Sequence, residues 1–258
     1  MKVLVTFAVE TEFAPWKKAL TLPSRVDNGF TIHQFALGEV SADFVVTGMG
    51  AENATRCGEI LMREPYDAVI AAGFAGSLRS ELNAGDVIVA TAVQRQSPTL
   101  GNPQALNSDR DLAALAAANG ATVVETLLSV EKIAATIQEK SQLAPLANAA
   151  DMESFEILSA ARTHKIPGVA IRVISDSLNQ DLPAGVNSLV DEMGAVNVSG
   201  VAKYIVSHPL AAPGVISLGR RSKSAAETLK RFLESYIRGL SIASNEQPHE
   251  ELLGVAAR

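Results

Sequence analysis

Two short acidic clusters near the middle of the chain hold the residues best placed for chemistry: Asp151-Met152-Glu153, at what reads as a helix start, and Ser175-Asp176, at the end of an apolar strand. A carboxylate bordering a buried segment is costly unless a ligand or partner compensates it, and such burial moves its proton affinity toward the range used in acid–base catalysis. Arg172 strengthens the suspicion, because it lies inside the apolar run Val169-Ala170-Ile171-Arg172-Val173-Ile174. If that strand is central, its guanidinium needs a buried anion, and one of the acidic residues already named is expected to be the partner. Each also has a plainer reading. Asp151 could cap its helix, Glu153 could favour the positive end of the helix dipole, and Asp176 could be a loop or capping residue.

The elements that must position these groups alternate along the chain. Strands are expected at 3–7, 30–37, 43–47, 67–72, 87–93, 122–128 and 168–174, from apolar runs bounded by turn residues. Helical spacing is expected at 10–19, with Phe13 and Trp16 on one side, and at 51–62, 109–118, from about 131 to 140, 153–164, 187–206 and 223–238. Segments 73–78, 94–107 and 209–219 read as loops. This pattern predicts an α/β fold, a central mixed and twisted sheet flanked by helices as a three-layer sandwich, with ligands gathering at the carboxyl ends of strands. We expect one domain over 1–238, with a helical extension at about 221–238, and a flexible tail at 239–258.

The 258 residues, 47% hydrophobic and 19% charged, are enough to bury a large core. A net charge of −6 without any Lys/Arg-rich stretch argues against nucleic acid as a partner. Cys57 is the single cysteine, which excludes an intrachain disulfide and fits a reducing, cytoplasmic setting. His33, His164, His208 and His249 are scattered without ligand spacing, so no metal is expected. No apolar run is long enough for a transmembrane segment, and no signal peptide is read. The expected partner is a small molecule.

Gly48-Met49-Gly50 precedes the helix at 51–62 and is either a tight turn or a backbone cradle for phosphate or a nucleophilic water. As a dinucleotide fingerprint it is incomplete, since Asn53 stands at the third glycine. Neither a phosphate-loop Lys-Ser/Thr nor a Gly-x-Ser-x-Gly elbow is present, which argues against nucleotide hydrolysis and serine esterase chemistry. Gly73-Phe74-Ala75-Gly76-Ser77 would bring backbone amides close to a ligand, or is glycine-rich for steric reasons alone.

Taken in order, these motifs resemble the purine and uridine nucleoside phosphorylase superfamily, in particular its methylthioadenosine/S-adenosylhomocysteine nucleosidase branch. Ala8-Val9-Glu10-Thr11-Glu12 is similar to that branch's N-terminal segment, with Glu12 at its water-activating glutamate. Thr47-Gly48-Met49-Gly50 resembles the first glycine loop, and Gly73 to Leu78 with Gly85-Asp86-Val87 resembles the second. Asp151-Met152-Glu153 resembles the ribose-binding motif, and Arg172-Val173-Ile174-Ser175-Asp176 the strand carrying the general acid. The resemblance runs from Met1 to about Val206; Leu182-Pro183 and the C-terminal extension are closer to the hopanoid-associated phosphorylase/nucleosidase group.

The resemblance implies cleavage of a purine nucleoside, adenine being the expected base, by hydrolysis. Asp176 would protonate the leaving base, provided enclosure lets it hold a proton, and Glu12 would activate water. Met152 and Glu153 would bind ribose, with Phe74, Ala75, Gly76, Ser129, Ile133 and Ser175 around the substrate and Gly48, Met49 and Gly50 at the phosphate or water loop. No cofactor is implied, although inorganic phosphate would be a co-substrate if the reaction were phosphorolysis. Phosphorylases of the family carry an arginine before the second glycine loop, whereas this chain has Ile70-Ala71-Ala72, which favours water. Phe74 replaces a small hydroxyl residue, leaving an inactive nucleoside-binding protein as a third reading. Family members form homodimers or higher homo-oligomers, and the same is expected here.

Overall fold

In the computed structural model, which describes residues 1–95, 103–183, 207 and 212–246, the period-two alternation of β1 (Lys2–Phe7) sets the layers. Val3, Val5 and Phe7 enter one core while Leu4 enters another. The core that Leu4 enters is covered by α2 (Ala51–Leu61) and α5 (Ser154–Thr163), and the core that Val3, Val5 and Phe7 enter is the second. The second is covered by α1 (Glu10–Ala19), α3 (Arg110–Ala118) and α6 (Ala212–Glu246). The expected sandwich is therefore present, because strands apolar on both faces need helices on both.

The remaining strands are β2 (Ser24–Asp27), β3 (Phe30–Leu37), β4 (Val40–Val46), β5 (Ala68–Ser77), β6 (Val87–Arg95), β7 (Gln104–Asn107), β8 (Thr122–Ser129), β9 (Ala149–Asp151) and β10 (Gly168–Asp176). They run β2-β3-β4-β1-β5, after which β5 pairs with both β9 and β10. Because β9 continues through β8 and β6 back to β10, five strands close into a ring. β4, β1, β5 and β10 are mutually parallel, so the segments following Phe7, Val46 and Asp176 emerge at one edge. Between Ile174 and Asp176 the pairing with β5 shifts by one residue, a bulge at Ser175.

Several expected boundaries move, each for a reason of long-range pairing. Residues 73–77, read as loop, continue β5 because β10 and β9 both pair with them. The expected loop at 94–107 begins as strand to Arg95 and ends as β7, an edge strand on β6. The helix expected from about 131 begins only at Ile137, as α4 (Ile137–Leu143), where Thr136 and Glu139 exchange backbone bonds in a capping box. The expected loop at 209–219 is helical from Ala212, and the helix runs past 238 to Glu246. Leu229, Leu233, Tyr236 and Ile237 bury one stripe of α6, and Tyr236 donates to the Leu112 carbonyl at 3.0 Å. The helix expected at 187–206 lies outside the described residues. Among the described residues, no helix is long and apolar enough to cross a membrane.

Gly58 on α2 faces Ala160 on α5 so closely that an added Cβ would collide with the Ala160 Cβ. Gly58→Ala should therefore destabilise by ~1–3 kcal/mol although alanine is the better helix former, measured as a lower thermal midpoint. An unchanged or raised midpoint would show that the two helices can part without cost.

Candidate active site

Arg172 lies on the β10 face that carries Ala170 and Ile174 into the α2/α5 core, and it is wholly buried there. Its Nη2 meets Asp151 Oδ2 at 2.7 Å, and Nε and Nη2 donate to Ser154 Oγ at 3.1 and 2.8 Å. Nη1 lies 3.9 Å from Glu153 Oε2 and donates to the Ala72 carbonyl at 3.3 Å. The anionic partner expected from sequence is thus Asp151. It is no dispensable cap: Oδ1 also accepts from Ser129 Oγ at 2.6 Å, and Oδ2 from the Ser154 N–H at 3.1 Å.

Glu12 approaches the same guanidinium from α1. Its Oε2 accepts from the N–H groups of Ala8 and Val9 at 2.7 and 3.1 Å, and Oε1 from that of Phe74 at 2.7 Å. Gly73, at φ +149°, is where β5 passes this charge pair. A Cβ there would strike the Arg172 guanidinium and sit 2.7 Å from Glu12 Oε1, so only glycine fits. Burial pushes the Glu12 carboxyl above the ordinary glutamate range, against the opposing pull of Arg172 and the three backbone N–H groups. Glu153, whose Oε1 accepts from the Gly50 N–H at 2.7 Å, is pushed up to about 7 by burial, with Asp151 and Glu12 adding repulsion against the pull of Arg172 and Gly50.

Asp176 follows the bulge. Its Oδ1 accepts from Ser175 Oγ at 2.6 Å, and its Oδ2 lies 2.5 Å from the ammonium of Lys140, a buried α4 lysine that the sequence reading passed over. The only local sign was its place on a short helix; its burial depends on the segment 177–180 folding back over α4.

A cavity of about 710 Å³ brings most of the expected residues together: Glu12, Met49, Phe74, Ala75, Gly76, Ile133, Met152, Glu153, Ser175 and Asp176 all line it. Gly48, Gly50 and Ser129 do not; Gly50 orients Glu153, and Ser129 orients Asp151 while lining a neighbouring cavity. The wall away from the carboxylates is largely apolar, from Ala14 and Pro15 on α1 and Val215, Ile216 and Leu218 on α6.

A mixed sheet between helical layers, with buried carboxylates gathered around one cavity at its strand ends, defines a class. The chain matches the Phosphorylase superfamily over residues 2–207 and belongs to it. Within it, the chain is similar to the 5'-methylthioadenosine/S-adenosylhomocysteine nucleosidase of Colwellia psychrerythraea, 28% identical over 226 residues that cover 77% of this chain and 93% of the relative. The enzyme of the same description from Maridesulfovibrio salexigens is 26% identical over 224 residues, covering 76% and 95%. Among solved structures, S-adenosylhomocysteine nucleosidase from Streptococcus pyogenes in complex with 5-methylthiotubericidin superposes with TM-score 0.72 at 19% identity, covering 93% of this chain and 97% of that one. The Colwellia psychrerythraea nucleosidase in complex with adenine gives 0.71 at 23% identity, covering 93% and 96%. At these identities the structural likeness shows a shared fold.

The raised carboxyl of Glu153 makes stability pH-dependent. Folded protein holds a proton there that unfolded chain releases at ordinary glutamate pH, so this contribution is fully present below that range and is lost as pH rises through about 7. Glu153→Gln, which can still accept from Gly50, should melt above wild type at pH 8, by ~2–4 °C for each kcal/mol of relief. The advantage should narrow toward pH 5 in calorimetry, and a melting deficit at pH 8 would contradict the burial argument.

Proposed function

We propose that the protein hydrolyses the N-ribosidic bond of purine nucleosides, adenine being the preferred base. Breaking the bond to N9 builds positive charge on the sugar and negative charge on the departing purine, so one end of the site must hold anions and the other must supply a proton. Glu153 accepts hydrogen bonds from the ribose hydroxyls and sets negative charge beside the cationic ring. Asp176 passes a proton to N7 of the base. Glu12 takes a proton from the attacking water, its raised proton affinity making it a stronger base than an exposed glutamate.

The observation that carries hydrolysis over phosphorolysis is what fills the anion cradle. Three backbone N–H groups converge on one carboxylate, that of Glu12, beside Arg172. A phosphate placed there would have to displace that carboxylate or sit against it and Glu153, with no second arginine offered by Ile70-Ala71-Ala72. Water needs no such accommodation. Phe74 lacks the hydroxyl expected at its position, but its N–H already serves Glu12, so that departure does not by itself imply an inactive binder.

Purified protein incubated with adenosine, methylthioadenosine and S-adenosylhomocysteine should release adenine and free sugar at the same rate with and without phosphate. Sugar 1-phosphate formed only when phosphate is added would replace this reading with phosphorolysis, and saturable binding without base release would leave a binder. Glu12→Gln and Asp176→Asn should each lower kcat by ~10²–10⁴. Because Glu12 must be deprotonated to act, the acid limb of the rate profile should lie above the ordinary glutamate range, with activity rising as pH increases through it.

A further inference from the structure

Lys140 is 1% exposed, and its ammonium spends all three donors on three acceptors: Asp176 Oδ2 at 2.5 Å and the carbonyls of Ser177 and Gln180 at 2.8 Å each. Two of those bonds anchor the segment that follows β10, a sufficient reason for a buried polar group. The third is different in kind, because it ends on the carboxylate read above as the proton donor, and both groups line the same cavity. Across this contact the proton-bearing group that faces Asp176 Oδ2 is the Lys140 ammonium. The nearest transferable proton is on Lys140.

We propose, on the footing of the hydrolytic reading, that Lys140 is the proton store for the leaving base and acts through Asp176. As the bond to N9 breaks, its electron pair passes to the purine and N7 becomes basic. The Asp176 carboxylate relays one proton: a Lys140 Nζ–H bond breaks, an Asp176 O–H bond forms, and that proton then moves to N7. Lys140 is left as a neutral amine beside anionic Asp176. The water that attacks the sugar gives its proton to Glu12, so exchange with solvent returns one proton to Lys140 and removes one from Glu12, and the sum is hydrolysis. In water a lysine exceeds an aspartate in proton affinity by about 6 pH units, so the pair rests as an ion pair until the developing purine anion draws the proton across. Lys140 is thus a positioning residue for Asp176 that also holds the proton to be transferred.

The test uses two substitutions and two leaving groups. Lys140→Met keeps the length of the side chain without its charge; Lys140→Arg keeps a cation that does not give up a proton. Both should lower adenine release from methylthioadenosine by ~10²-fold or more. Both should cleave 4-nitrophenyl β-ribofuranoside, whose phenolate departs without a proton, within about fivefold of wild type. Adenine release restored by Lys140→Arg would reduce Lys140 to a holder of Asp176, and overturns the proton store. Equal losses on both substrates would assign it to the loop anchor alone, and near wild-type adenine release by Lys140→Met removes it from the reaction. Asp176→Asn run alongside separates the two levels: adenine release close to wild type there overturns the acid assignment itself, whatever Lys140 does.

Discussion

One guanidinium answers for three carboxylates. Arg172 touches Asp151 directly and is the positive charge that offsets Glu12 and Glu153, all four side chains being buried. Removing ions from water costs several kcal/mol each, and one cation does not compensate three anions. The residual imbalance is stored as raised proton affinity on Glu12 and Glu153. Asp151, which has the short contact and two further donors, is the anion best satisfied within the protein. The split gives Asp151 a structural place and leaves Glu12 and Glu153 as the two carboxylates to which the proposed function assigns chemistry.

The second half of the site is built on the opposite balance. Asp176 has its own cation in Lys140, so charge there is matched one to one. On the proposed reading, an under-compensated anionic region would lie beside the sugar and a compensated ion pair beside the base, a gradient along the direction in which electrons would move as the N-glycosidic bond breaks. Backbone N–H groups of Ala8, Val9, Gly50 and Phe74 hold the anionic end without adding formal charge. That economy matters for the proposed function, because another cation there would neutralise the carboxylate to which it assigns the role of base.

Much of this was legible in the residues. A single arginine inside an apolar strand announced a buried ion pair, and the order of the acidic and glycine motifs announced which elements meet at the cavity. Which role Asp151 plays is hidden in sequence because a capping aspartate and an ion-paired one look alike there; here the same Oδ2 serves both the Ser154 N–H and Arg172. Ser129 was placed beside the substrate because its segment lies at the site, but its hydroxyl turns back to Asp151. Lys140 left no mark, since a lysine on a short helix is ordinarily solvated and only the fold of 177–180 buries it. Residues 73–77 read as loop because glycine and small residues are turn formers locally, while their strand character comes from partners about a hundred positions away.

The position of β10 in the sheet also orders events as the chain folds. It inserts between β5 and β6, so the last described strand in sequence occupies the middle of the sheet. Glu12, Asp151 and Glu153 all precede it, and the one guanidinium that faces them among the described residues arrives with it. Until residues 168–176 dock, those carboxylates have no compensating charge and water remains their better solvent. Closure of the ring and dehydration of the site are therefore one step. A chain stopped short of β10 would hold Glu12, Asp151 and Glu153 and still have no reason to bury them.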